Sequence, residues 1–197
     1  VTWAPDYCSV DALSSYRGID DTVDEAELAL SVTAASRAVD QETGRQFGSV
    51  AAEERVYTAR PDYERGYWVV DIDDVMDATG MTVTIDGDTV ATYQLEPRNA
   101  PQKGRPWTRI VFTSDSEHKP SRGDHEVAVV APWGWTEFPG TVVEATKLQA
   151  NRWATRRDAP FGVAGSPDVG SEVRLLAKVD PDVAVALRPY RRIRSPR

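Results

Sequence analysis

The 197-residue sequence predicts an α+β protein, a small helical core (a bundle) with an inserted antiparallel β domain and an extended C-terminal tail. Three observations predict it. The hydrophobic period is helical up to about Gly44, changes to two from about Glu53 to Ala131, and becomes helical again after Pro139. Helices and strands are therefore segregated along the chain, with the strand block lying between two helical parts. The last ten residues, RPYRRIRSPR, carry five arginines, and Pro189 and Pro196 limit helix formation there. On this reading residues 1–50 and 136–187 form the helical core, residues 53–135 the β insertion, and residues 188–197 the basic tail.

Taken in order, Ser9 is a suitable N-cap for a short helix through Tyr16, and Gly18 a suitable stop. Thr22 and Glu25 have capping-box spacing and open a second helix. Leu28, Val32, Ala35 and Val39 recur at i, i+4, i+7 and i+11, one stripe of that helix, and are assigned to the core. Leu30, Ala34 and Ala38 form a second, smaller stripe whose short side chains permit close approach of a partner, so they are assigned to a subunit interface. Gly44 ends the helix.

Strands are expected at Arg55–Thr58, Tyr67–Val70, Met81–Ile85, Val90–Leu95, Thr108–Phe112 and Glu126–Ala131. Asp86-Gly87 tolerates the positive φ angles of a tight hairpin. Pro97, Pro101, Gly104 and Pro106 mark an irregular loop, and residues 114–123 a polar turn. A Trp133-Gly134-Trp135 corner then closes the strand region. Pro139 opens a long helix that runs to about Arg157 and stops at Asp158-Ala159-Pro160. Val142, Val143, Ala145, Ala150, Trp153 and Ala154 cover about half of its circumference. Trp153 is the largest apolar group on that face and is expected in the core against Leu28, Val32, Ala35 or Val39; Leu148 is an apolar exception on the other side. Residues 161–171 read as a Gly-rich loop, residues 171–179 as a strand, and Asp180-Pro181 as the start of a short helix through Leu187.

Composition narrows the function. A net charge of −8 opposes a general nucleic-acid-coating role, although it divides into +5 on the last ten residues and −13 on the rest. Cys8 is the single cysteine, so no intrachain disulfide or cysteine-based metal cluster can form, which fits synthesis in a reducing compartment. No apolar run approaches the roughly 18 residues that span a membrane, and the first ten residues lack the basic start and apolar core of a signal peptide.

No catalytic residue, no metal and no cofactor is assigned. His118 and His125 lie seven apart around a turn with Pro120 and Gly123, a spacing that matches no usual ligand pattern. There is no Gly-x-Ser-x-Gly elbow, and Cys8 has no histidine near it in sequence. In the acidic run Asp71, Asp73, Asp74 and Asp77, Val75 and Met76 occupy the places where a calcium loop needs a further ligand and a glycine; these aspartates read as caps on a turn after the strand Tyr67–Val70. Residues 162–165 lack the lysine and helix of a phosphate loop. Trp133 and Trp135 share a strand face and read as core or subunit interface before they read as a sugar platform.

Several stretches together resemble one known family. Tyr7–Leu13 (YCSVDAL), Asp24–Phe47 ending in Thr43-Gly44-Arg45-Gln46-Phe47, Ala131–Pro139 (APWGWTEFP), Arg156–Gly165 (RRDAPFGVAG) and Leu175–Arg192 with its Asp-Pro-Asp-Val are similar to the head–tail connector (adaptor) proteins of long-tailed phages, in the form with a β insertion. The resemblance implies a homo-oligomeric ring, commonly of about twelve subunits, docked beneath the portal protein. It implies DNA passing through the lumen without sequence-specific binding, a stopper or tail-completion protein on the tail side, and no catalysed reaction. It also implies location at the head–tail junction of a virion, made in the host cytoplasm. An acidic wall repels DNA and lets it slide.

Phe161 is expected at a subunit interface, the large apolar anchor of a Pro/Gly-rich segment. Arg188, Tyr190, Arg191, Arg192, Ile193 and Arg194 are expected to contact the portal, because apolar anchors interrupt the arginines and arginine pairs bidentately with carboxylates. A solvated basic tail and a DNA contact compete for the same residues. For the whole chain the alternatives are a β-rich carbohydrate-binding module using Tyr67, Trp68, Trp133 and Trp135, and an uncharacterised hydrolase.

Overall fold

Caps set the first helix. Ser9 is extended and its hydroxyl accepts from the Ala12 N–H at 3.1 Å, starting α1 (Val10–Arg17); Gly18, at φ 68°, ends it. The second helix, α2 (Glu25–Thr43), buries Leu28, Val32, Ala35 and Val39. The Gly44 N–H returns to the Asp40 carbonyl at its end. Pro139 accepts the first helical bonds of α3 (Gly140–Asp158) from Val142 and Val143.

The structure, a computed structural model, describes residues 4–18, 25–120, 126–158, 163–164, 173–174 and 179–192. They divide into two compact units: Gly48–Glu137, and Ala4–Phe47 together with the residues from Phe138 onward. Thr22, His125, Phe161, Ile193 and Arg194 lie outside the described residues.

In the helical unit, Leu28, Val32 and Ala35 of α2 pack with Ala150 and Ala154 of α3 and with Leu13 and Cys8, while Val143 and Trp153 sit at the margin of that cluster. Trp153 is half-buried rather than central. The helix turns Thr146 and Gln149 inward instead, both at 0% exposure. Each of these polar side chains has an internal partner: the Thr146 hydroxyl donates to the Val142 carbonyl at 2.9 Å, and Gln149 Oε1 accepts from Asp180 N–H at 3.0 Å. Asp180 also caps α4 (Pro181–Leu187), which buries Val183 and Leu187. Between α3 and α4, Val163–Ala164 and Val173–Arg174 pair antiparallel.

The other unit holds two four-stranded antiparallel sheets. In chain order the strands are β1 (Glu53–Thr58), β2 (Arg60–Asp62), β3 (Tyr67–Val75), β4 (Thr82–Ile85), β5 (Asp88–Thr89), β6 (Gln94–Glu96), β7 (Trp107–Phe112) and β8 (Glu126–Ala131). One sheet runs β1-β8-β4-β5, the other β2-β3-β7-β6. Val83, Ile85, Val127 and Val129 of the first and Val70, Ile72, Ile110 and Phe112 of the second join one core, as in a β-sandwich. Asp86 (φ 52°) and Gly87 (φ 92°) make the two-residue turn between β4 and β5.

The acidic run corrects a sequence expectation. Asp71, Asp73 and Asp74 do not cap a turn after Val70; β3 continues through them to Val75, with a register shift against β7 between Asp71 and Val75. The strand persists because its carboxylates meet arginines on the adjacent β2 and β7 and on β1 of the other sheet. Asp71 accepts from Arg109 at 2.7 Å and Arg60 at 2.9 Å, and Asp73 from Arg55 at 2.9 Å and the Tyr57 hydroxyl at 3.0 Å. Ile72, between them, points to the core at 0% exposure.

Candidate functional site

Among the described residues, no three or more His, Cys, Asp or Glu side chains are grouped to hold a metal ion, and no helix is long and apolar enough to cross a membrane. The candidate sites are surfaces, and the best-defined one is built on the C-terminal end of α2. A helix end leaves carbonyl acceptors without helical partners and carries partial negative charge, so it attracts donors and cations. The segment after α4 supplies both. Arg188–Tyr190 forms a 3₁₀ turn, and Arg192 N–H donates to the Thr43 carbonyl at 2.7 Å. Arg45 Nε donates to the Tyr190 carbonyl at 2.7 Å, and the Arg191 guanidinium pairs with Glu42. The Tyr190 ring meets Phe47 edge-on, with centroids 5.8 Å apart and planes at 74°.

Residues 188–192 are thus folded onto α2, which corrects the expectation of an extended tail from Arg188. Glu42, Thr43, Arg45 and Phe47 provide the partners. Arg188 and Arg191 remain exposed, Tyr190 and Arg192 half-buried.

The same helix end holds an N-terminal strap that sequence reasoning missed. Tyr7 is 1% exposed. Its N–H donates to Ser36 Oγ at 3.1 Å, its hydroxyl donates to Asp40, and the same oxygen accepts the Phe47 N–H at 3.0 Å. Its ring lies edge-on to Phe47 (5.5 Å) and to Phe138 (5.3 Å). Arg37 ties down the preceding residues through the Ala4 and Pro5 carbonyls, at 2.8 and 2.6 Å. Burial, with Asp40 beside it, pushes the Tyr7 hydroxyl pKa up, so it stays a donor. Burial also raises the Asp40 carboxyl, against the Tyr7 hydrogen bond and Arg37. The signal is present in Tyr7 and in Thr43-Gly44-Arg45-Gln46-Phe47, both of which stand out as motifs, but nothing local says that they meet.

The second expected surface is on α2. Leu30 is 65% exposed and Ala34 is exposed, one turn apart, with Ala38 half-buried below them. They share an uncovered apolar stripe in this single chain.

In the β unit, Trp133 and Trp135 are 1% and 3% exposed, which removes them as a sugar platform. Trp133 donates through Nε1 to the Glu53 carbonyl at 2.9 Å and lies under the Arg55 guanidinium at 4.9 Å; Trp135 donates to Asp74 at 2.9 Å. Both indole N–H groups are satisfied inside, as buried tryptophans require. Cys8 is buried, and burial pushes its thiol pKa up, so the thiolate a nucleophile needs is disfavoured.

No protein-family profile and no curated protein matches the chain. Among solved structures, a chain from the neck of an empty GTA particle computed with C6 symmetry aligns at 17% identity over 99% of this chain and 95% of that one, with a TM-score of 0.57. A chain from the neck of a native GTA particle computed with C12 symmetry aligns at 17% identity over 99% and 94%, with a TM-score of 0.42. The first of these shows that this chain has the same α+β fold nearly end to end.

Proposed function

We propose that this protein is a structural, non-enzymatic subunit of the neck of a tailed, phage-like virion, and within the neck a head-to-tail connector (adaptor). The observation that carries the reading is the end-to-end fold likeness to a neck protein of a GTA particle computed with C6 symmetry. The sequence resemblance to phage connectors points the same way. On this reading about twelve copies form a ring. The stripe Leu30, Ala34, Ala38, with Phe161, forms the contact between copies. The face built by Arg188, Tyr190, Arg191 and Arg192 meets an acidic surface of the portal, and Ile193 and Arg194 are assigned to the same contact. A stopper or tail-completion protein binds the opposite side, and DNA passes through without sequence-specific contact.

The test is imaging of purified protein, alone and with isolated portal rings. Rings, or portals capped by an added layer, are expected. Leu30→Arg is expected to leave the folded monomer intact and abolish that layer, because it places a charge on the apolar stripe. Protein that stays monomeric at every concentration and never adds to a portal would overturn the reading.

A further inference from the structure

Phe47 touches two segments that are remote in sequence. On one side its ring meets Tyr7 and its N–H is held by the Tyr7 hydroxyl. On the other its ring meets Tyr190, whose carbonyl is held by Arg45 two residues upstream of Phe47. Phe47 is 0% exposed, and Tyr7 also meets Phe138. Phe47 is the last residue before the chain leaves the helical unit, and Phe138 the first after it returns. The four rings Tyr190–Phe47–Tyr7–Phe138 therefore form a continuous run of edge-on contacts. Hydrogen bonds pin both neighbours of Phe47: Tyr7 through Ser36 and Asp40, the C-terminal segment through Thr43 and Arg45.

We infer that Phe47 is a conformational relay, through which the seating of the C-terminal segment Arg188–Arg192 sets the stability of the N-terminal strap Ala4–Cys8. Both segments share one buried ring. If Tyr190 leaves Phe47, that ring loses one of its neighbours and gains freedom against Tyr7, whose hydroxyl bond to the Phe47 N–H depends on the same residue staying in place. Buried rings in contact have few packed arrangements, so loosening one side loosens the other. The relay rests on the proposed function only for what engages the C-terminal segment; the coupling is intrinsic to the chain. A partner that seats on Arg188–Arg192 would firm the N-terminal strap, and the strap would reciprocally favour that partner.

The experiment is amide hydrogen exchange on the full chain without any partner, so its failure and the failure of the connector reading are distinguishable. Tyr190→Ala is expected to speed exchange of the Tyr7 and Phe47 amides by up to about tenfold, the size of one aromatic pair, while Val32 and Ala35 in α2 rise by less. In a Phe47→Leu background the same change at Tyr190 is expected to add nothing at Tyr7. Arg45→Gln, which removes the bond to the Tyr190 carbonyl and keeps both rings, is the second variant should Tyr190→Ala fail to fold, and is expected to act in the same direction. Unchanged Tyr7 and Phe47 amides, an equal rise at Val32 and Ala35, or an undiminished effect in the Phe47→Leu background would each overturn the relay.

Discussion

Gly134→Ala isolates the tightest backbone approach in the β unit. Gly134 has φ 105°, and a Cβ built on it would lie 2.0 Å from the Gly48 carbonyl oxygen and 3.0 Å from the Gly48 carbon and Ser49 Cα. All three are backbone atoms, so no side chain can swing away. The segments Gly48–Val50 and Trp133–Trp135 must separate. That breaks the bonds from Trp135 N–H to the Gly48 carbonyl and from Val50 N–H to the Trp133 carbonyl, both 3.0 Å. Positive φ costs an L-residue about 1–2 kcal/mol and each lost hydrogen bond about 1 kcal/mol, so the expected loss is about 3–4 kcal/mol. Gly66→Ala is the control. Gly66 also has positive φ, 69°, but nothing lies within 4 Å of the place its methyl would take, so only the backbone cost of about 1 kcal/mol remains. Urea unfolding followed by fluorescence of the buried Trp133 and Trp135 reads both. A loss for Gly134→Ala no larger than for Gly66→Ala would refute the reasoning from close approach.

Three further outcomes follow from packing and charge. Burial works against ionisation of Asp71, but hydrogen bonds from Arg109 and Arg60 outweigh it and hold the carboxyl below the usual range. A depressed carboxylate stabilises the fold above its unfolded pKa and loses that contribution as pH falls through the folded value; Asp71→Asn should therefore cost about 1 kcal/mol or less at pH 7, discounted for exposure, with the gap to wild type closing below about pH 4 in denaturant titrations. Trp153→Ala should cost about 1–3 kcal/mol, less than a fully buried tryptophan because its ring is at the margin of the core, and an unchanged unfolding midpoint would show that the ring makes no stabilising contact. Truncation after Leu187 should destabilise the helical unit by about 2–3 kcal/mol through loss of the Tyr190–Phe47 pair and the bonds to Thr43 and Arg45, and an unchanged melting midpoint would refute the docked geometry.

Local signals made the α+β class and most elements legible. Ser9, Gly18, Gly44, Pro139 and Asp180 act on neighbours within a turn, so their capping is written in adjacent residues. The apolar stripe of α2 is legible for the same reason. Most strand positions follow from period two, but β2 is not among the expected strands, and in place of the one strand expected at Val90–Leu95 the chain has β5 and β6 in different sheets; that partition depends on which distant strands meet, and nothing within one strand encodes it. The acidic run shows the limit. Asp71-Ile72-Asp73 alternates as a strand should, yet four acidic residues in seven look like a turn until Arg55, Arg60 and Arg109 are placed beside them. Asp74 is harder still: the irregularity in β3 leaves it buried at 4% exposure, where the Trp135 indole meets it.

The C-terminal segment departs from its sequence expectation for a related reason, and the reason bears on function. Arginines and prolines describe how a segment behaves in solvent; they do not reveal a ring elsewhere that will hold it. Tyr190 finds Phe47, and Arg192 finds the end of α2, so the basic face exists before any partner arrives. A preformed face avoids the ordering cost that a disordered tail meets on binding. Truncation therefore confounds lost contact with lost stability. Arg188→Glu separates them, because the Arg188 side chain is exposed and Phe47 keeps its ring partner. Reversal of that charge should weaken binding to an acidic portal surface while leaving the unfolding midpoint unchanged; equal binding by the variant would remove Arg188 from the docking face.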